Sequence, residues 1–185
     1  MKTGSKNNTL IIFHSQTGFT ARYAQWMAEA TGAECMGFKE AKKKKTAFFD
    51  DYEKIVFGGW VMGGNVSKLK WFEEHLAEWK NKKLAVFAVG ASPADSETVA
   101  EFLNRTFGEE QWNGVAHFYC QGGLNYDRMS APNRMLMKML KKSLDGKQDK
   151  TPQEIEMAQM IGKSYDIADR KYARPVITWI EGNDS

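Results

Sequence analysis

Four short apolar runs punctuate the chain, and none of them alternates with polar residues: Leu10-Ile11-Ile12-Phe13, Ile55-Val56-Phe57, Leu84 to Val89, and Val115 to Cys120. Unbroken apolar segments of this length predict strands buried on both faces, the arrangement of a parallel sheet. A weaker run, Glu34 to Phe38, predicts an edge strand. Between the runs, apolar residues recur every three or four positions. Tyr23, Ala24, Met27 and Ala28 predict a helix after the first strand; Leu69, Phe72, Leu76 and Trp79 predict a second, and Val99, Leu103 and Phe107 a third. Thr151-Pro152-Gln153-Glu154 reads as a capping box with proline at the first helical position. The stripe Ile155, Ala158, Ile161, Tyr165, Ala168 and Tyr172 then predicts one long last helix.

Strand and helix therefore alternate, which predicts right-handed βαβ units and a doubly wound α/β fold. Five strands suit a parallel sheet in the order 2-1-3-4-5 with helices on both faces, three layers in all. In that order the ligand crevice lies outside the carboxyl ends of strands one and three. The 185 residues hold no linker or repeat and are read as a single domain, 1–185.

Composition narrows the chemistry. No stretch approaches the ~20 apolar residues of a membrane-spanning helix, and Met1 to Thr9 lacks the apolar run of a signal peptide. Cys35 and Cys120 are too few for a disulfide framework or a thiolate site, and His14, His75 and His117 have no metal-ligand spacing. A reducing, cytoplasmic setting without a metal is the expectation. The net charge of +3 argues for no nucleic-acid partner. Its distribution is uneven: between Tyr126 and Lys150 stand Arg128, Arg134, Lys138, Lys141, Lys142, Lys147 and Lys150 against Asp127, Asp145 and Asp149. A second basic cluster, Lys39 with Lys42 to Lys45, reads as a solvated loop.

Three loops carry the candidate site. Ser15-Gln16-Thr17-Gly18-Phe19-Thr20 joins the first strand to its helix, where free backbone N–H groups and the helix dipole favour an anion. Gly18 permits a tight turn, and Ser15, Thr17 and Thr20 add hydroxyls. No lysine is present, unlike in a nucleoside-triphosphate loop, and the glycine spacing of a dinucleotide fingerprint is missing. The same serine and threonines also suit plain helix capping. Gly58-Gly59-Trp60-Val61-Met62-Gly63-Gly64-Asn65 follows the third strand. Its glycines allow close approach to a flat ligand, with Trp60 or Met62 packing on a ring; a flexible turn with one core tryptophan is the alternative. Gly90-Ala91-Ser92-Pro93-Ala94-Asp95 ends the fourth strand and borders the same place.

The first loop resembles the Thr/Ser-x-Thr-Gly-x-Thr phosphate loop of the flavodoxin family, and element order resembles that family over nearly the whole chain. The resemblance implies a flavodoxin-like three-layer fold with FMN as cofactor. It implies the FMN phosphate on Ser15, Gln16, Thr17, Gly18, Phe19 and Thr20. One ring face then falls to Gly59, Trp60, Val61, Met62, Gly63 and Gly64, and the other to Gly90, Ala91, Ser92, Pro93 and Asp95. Two features depart from the family: the third loop holds no aromatic residue, and the chain is basic, with a sequence pI near 8.7.

Gly122-Gly123-Leu124-Asn125-Tyr126 and the helix that follows, 132–144, exceed a minimal flavodoxin. They look like the extra loop and helix of the flavodoxin-like, quinone-dependent protoporphyrinogen oxidases. At ~100° per residue, Met135, Leu136, Met137, Met139, Leu140 and Leu144 share one arc, and Arg134, Lys138, Lys141 and Lys142 the other. Such a helix either packs on the domain or docks a flat apolar substrate, a partner protein, or an anionic membrane surface. His14 and Cys120 read as structural, and no catalytic constellation is visible. Three functions follow: an FMN redox carrier with a partner protein, an FMN enzyme acting on a small substrate such as a porphyrinogen or quinone, or an interaction module without flavin.

Overall fold

The apolar runs become strands of the main sheet in a computed structural model that describes residues 8–182. In chain order the elements are β1 (Thr9–His14), α1 (Phe19–Thr31), β2 (Glu34–Gly37), α2 (Phe38–Ala41), α3 (Thr46–Phe49), β3 (Lys54–Met62), β4 (Asn65–Val66) and α4 (Leu69–Glu73). They continue with β5 (Lys83–Gly90), α5 (Glu97–Phe107), β6 (Val115–Gln121), β7 (Gly123–Leu124), α6 (Ala131–Gly146), α7 (Pro152–Met160), β8 (Tyr165–Asp166) and α8 (Arg174–Glu181). The main sheet runs β2-β1-β3-β5-β6. All four of those pairings are parallel, so in order of appearance the strands stand 2-1-3-4-5, as the alternation predicts.

Successive residues of each strand point to opposite faces, and the two faces bury separate cores. Leu10, Ile12, Ile55, Phe57, Leu84 and Val86 pack against Phe38, Phe49, Phe72 and Trp79 on the α2–α4 side. Ile11, Val56, Ala85, Phe87 and Val89 pack against Tyr23, Ala24 and Met27 of α1 and Val176 and Ile180 of α8. Unalternating apolar strands are thus what a sheet covered on both sides requires. Among the described residues no helix is long and apolar enough to cross a membrane.

Three expectations change. The 69–79 stripe is buried as its period demands, but α4 stops at Glu73, and the chain continues through turns such as His75 N–H to Phe72 O and Leu76 N–H to Glu73 O. The long last helix ends at Met160 although its capping box on Thr151 and Glu154 is fully formed. Gly162 to Ser164 leaves the helix so that Tyr165 and Asp166 can pair antiparallel with Leu124 and Gly123. That tertiary pairing overrides the local period. Beyond it, α8 begins at Arg174 with Pro175 in its first turn, an element the stripe did not announce.

The third change concerns the glycine-rich segment. β3 continues through Gly58 and Gly59 to Met62, and Gly63-Gly64 is the tight turn into β4, with φ of 58° and 75°. Positive φ at both central residues is the hairpin geometry that glycine serves best. Gly58 and Gly59 have a different reason. A Cβ on Gly58 would lie 2.1 Å from the Phe87 ring, and one on Gly59 would lie 2.6 Å from Val66 and 2.7 Å from the Ser67 carbonyl oxygen. These two glycines make room for protein atoms.

Candidate functional site

The carboxyl ends of β1, β3 and β5 converge with β7 on a crevice built in two connected parts. A narrow cavity of about 50 Å³ lies among Gln16, Thr17, Phe19, Trp60, Val61 and Met62, closed from the other side by Gly90, Ala91, Leu124 and Asn125. Beside it opens an apolar cavity of about 350 Å³. Val61 to Gly64 and Gly90 to Pro93 line one side, and Leu124, Met137, Leu140, Met157 and Tyr165 the other. Val61, Met62, Gly90, Ala91 and Leu124 belong to both.

Of the residues expected at the site, Ser15, Gly18, Thr20, Gly59 and Asp95 line neither cavity. Ser15 Oγ accepts the Gly18 N–H at 3.2 Å, so it closes the turn ahead of α1. Gly18 is the residue before that helix, at φ 103°, and no side chain caps the helix. The capping alternative therefore fails for α1 itself: its first-turn N–H groups keep their outward donors, the condition for holding an anion. Thr20 is 1% exposed, and its hydroxyl has no hydrogen-bond partner. Gly59 is used up by the Val66 contact, and Asp95 is exposed.

Trp60, which lines the narrow cavity, holds another unpartnered donor. The Trp60 indole N–H is buried without a partner, while the Trp60 backbone N–H donates to Ser67 Oγ at 3.2 Å. Ser67 Oγ also lies 3.0 Å from His14 Nδ1. Burial, with the charges of Lys68 and Lys39, lowers the His14 pKa, so this imidazole is held neutral as a tie between β1 and the β3–β4 hairpin. Buried polar atoms left without partners are rare in folded proteins and call for a ligand or water.

The third loop is held rigidly from outside its own sequence. Ala94 N–H donates to Gln121 Oε1 at 2.8 Å, Tyr119 Oη donates to Ser92 O at 2.9 Å, and Tyr165 Oη donates to Ala91 O at 3.0 Å. Burial raises the Tyr165 hydroxyl to about 12, so it stays a donor across the physiological range. Tyr165 and Tyr119 thus bring to the cavity wall the aromatic rings that Gly90 to Asp95 lacks. Sequence reasoning missed Gln121, Tyr119 and Tyr165 because each reaches the loop through pairing far along the chain.

The segment after β6 is fastened onto the β1–α1 loop and α1. Asn133 Nδ2 donates to Gln16 Oε1 at 2.8 Å, and Arg22 forms a two-pronged pair with Asp166 at 2.8 and 2.7 Å. A guanidinium nitrogen of Arg128 stands 3.2 Å from where a Cβ of Gly18 would be. Met129, Met137, Leu144 and Ile161 form a small separate core under this cover, with Met62 and Leu124 packed against it.

The sequence profile of the flavodoxin domain matches residues 10–151. The chain belongs to the flavodoxin-domain family. A comparison with curated proteins found no match. Among solved structures, the flavodoxin-domain chain is similar to the Trp repressor binding protein of Bacillus subtilis (14% identity, TM-score 0.47, covering 62% of this chain and 84% of that one). It is also similar to oxidised flavodoxin 1 of Bacillus cereus (13%, 0.39, 61% and 83%). A flavodoxin from the domain Archaea matches at 13% and 0.39, covering 84% and 99%. Family membership makes this a flavin-binding redox protein, and the two orphaned donors and the uncapped α1 terminus fit such a group.

Proposed function

We propose that this flavodoxin-domain protein binds FMN and transfers electrons through it. The observation that carries the reading is the uncapped start of α1 beside the buried, unpartnered Thr20 hydroxyl. Together they form a ready receptor for a phosphate dianion. In this reading the α1 amides with the hydroxyls of Thr17 and Thr20 hold the phosphate. Trp60 and Met62 border the ring on one side and Ala91 to Pro93 on the other, and the apolar wall of Leu124, Met137 and Leu140 keeps water from it. Bound FMN supplies one- and two-electron chemistry, which the protein tunes through the ring's surroundings. Replacing Gly18 with valine, or Thr17 with leucine, should abolish FMN retention through purification. Unchanged flavin content in both variants would contradict the placement.

Where the electrons go has two readings. A redox partner protein docking over the crevice suits a carrier. A second reading, an oxidoreductase acting directly on a small apolar substrate of the porphyrinogen or quinone kind, is favoured by the apolar lining of the larger cavity beyond the residues that border the ring, at Phe102, Met157, Met160 and Ile161. The helix expected at 132–144 adds a peripheral contact with a membrane or quinone pool to either reading. Met135, Leu136, Met139 and Leu140 on α6 are exposed large hydrophobics among flanking lysines. Flavin reduction by added substrate without a protein partner separates the second reading from the first.

A further inference from the structure

The phosphate loop carries no basic side chain of its own, and a phosphate dianion there would rest on partial charges alone. The fold brings a full positive charge to that spot from more than a hundred residues away. Arg128 sits in the turn between β7 and α6, and its guanidinium lies over the glycine that opens α1, 3.2 Å from the Gly18 Cβ position.

That placement is built. The Arg128 backbone N–H donates to Asn125 Oδ1 at 3.1 Å, and Met129 N–H donates to Tyr126 O at 3.3 Å, which closes the turn. Tyr126 is fixed at both ends: its N–H donates to Ser164 Oγ at 3.0 Å, and its hydroxyl bonds the Ile161 carbonyl. The next residue, Met129, is 6% exposed and belongs to the small core under the cover. One turn later Asn133 bonds Gln16 within the phosphate loop at 2.8 Å. Among the described residues no carboxylate pairs with Arg128, whereas several neighbouring basic residues are engaged. Lys141 pairs with Asp145, Lys147 with Glu154, and Arg134 donates to Met129 O. Arg128 is a basic side chain of the segment held over the cofactor loop without a protein anion to neutralise it.

We propose that Arg128 is a phosphate ligand of the bound flavin, a charged clasp supplied by the inserted segment across the mouth of the Ser15 to Thr20 loop. The inference rests on the FMN reading and adds to it a recognition element outside the βα unit. A guanidinium offers a planar fork that matches phosphate oxygens, and charge-assisted bonds of this kind are about twice as strong as neutral ones. The clasp therefore makes the site selective for the phosphorylated flavin over riboflavin, because only the former presents the dianion.

The test is a fluorescence titration of deflavinated protein with FMN and, separately, with riboflavin, for wild type, Arg128→Ala and Arg128→Lys, at low and high salt. Wild type should prefer FMN, and Arg128→Ala should weaken FMN binding roughly 10- to 100-fold while leaving riboflavin binding unmoved. Arg128→Lys should recover part of the loss, since lysine keeps the charge and loses the fork. Salt should weaken FMN binding more in wild type than in Arg128→Ala. Equal weakening of FMN and riboflavin would overturn the clasp in favour of a purely structural turn, as would an Arg128→Ala protein with wild-type FMN affinity. A wild-type protein that binds neither flavin would overturn the FMN reading itself, and the clasp with it.

Discussion

Strand β5 and helix α6 are both rich in apolar side chains and dispose of them in opposite ways. In β5, Ala85, Val86, Phe87 and Ala88 are fully buried: Val86 in one core of the sheet, Ala85 and Phe87 in the other, and Ala88 against Val66 and Phe102. In α6 only Met137 and Leu144 are buried, while Met135 and Met139 stand 66% and 63% exposed. The strand lies between two helical layers that cover all of it but Lys83. The helix lies on a cover of short elements, and its apolar arc is wider than the surface beneath it. The first region buries its apolar side chains in the cores that hold the sheet, and the second leaves an apolar face uncovered.

The sharpest way to break that contrast is in β5. Phe87→Ala should remove about 3–5 kcal/mol from global stability, lowering the urea midpoint with an unchanged slope. A loss much below this would mean that the central core repacks easily. The effect should be smaller, and local, where the cover is tied to α1. Asp166→Asn breaks the two-pronged pair with Arg22, whose partners are both partly exposed. It should cost under about 1 kcal/mol globally while speeding amide exchange in Gly123, Leu124 and Tyr165. The Arg22 hydrogen bond holds the Asp166 carboxyl below its ordinary 3.8. Its contribution is therefore present above that value and lost as pH falls through the lower folded one. Acidification below pH 3.8 should loosen the same amides in wild type, after correction for intrinsic exchange, and not in Asp166→Asn. The smallest effect belongs to α6: Met139→Gln should change stability by no more than about 0.5 kcal/mol, read from the same urea curves. A cost as large as that of Phe87→Ala would show that this face is packed.

The same contrast explains what could be read from the sequence. β1, β3 and β5 were legible because burial on both faces leaves an unbroken apolar run, and β6 because its edge run is still mostly apolar; their order follows from chain alternation. The turn from Ser15 to Thr20 between β1 and α1 was legible because a strand end feeding a helix start is local. Gly58 and Gly59 were visible but misread, because the atoms that exclude a Cβ there, on Phe87, Val66 and Ser67, come from a neighbouring strand and the hairpin. The stripe from Ile155 to Tyr172 was misread as one helix. Its period survives the break at Gly162, a glycine just past a helix end, and the pairing of Tyr165 with Leu124 depends on a residue about forty positions away. Arg128 stood in the sequence only as one charge among seven; its place over Gly18 is a tertiary fact.

We propose that the crevice at the ends of β1 and β3 holds FMN. The most direct test is the visible absorption spectrum of the purified protein, with the cofactor released by heat and identified by chromatography. A flavin spectrum with FMN in the supernatant is the expected result. A colourless protein that also fails to bind added FMN would contradict the proposal.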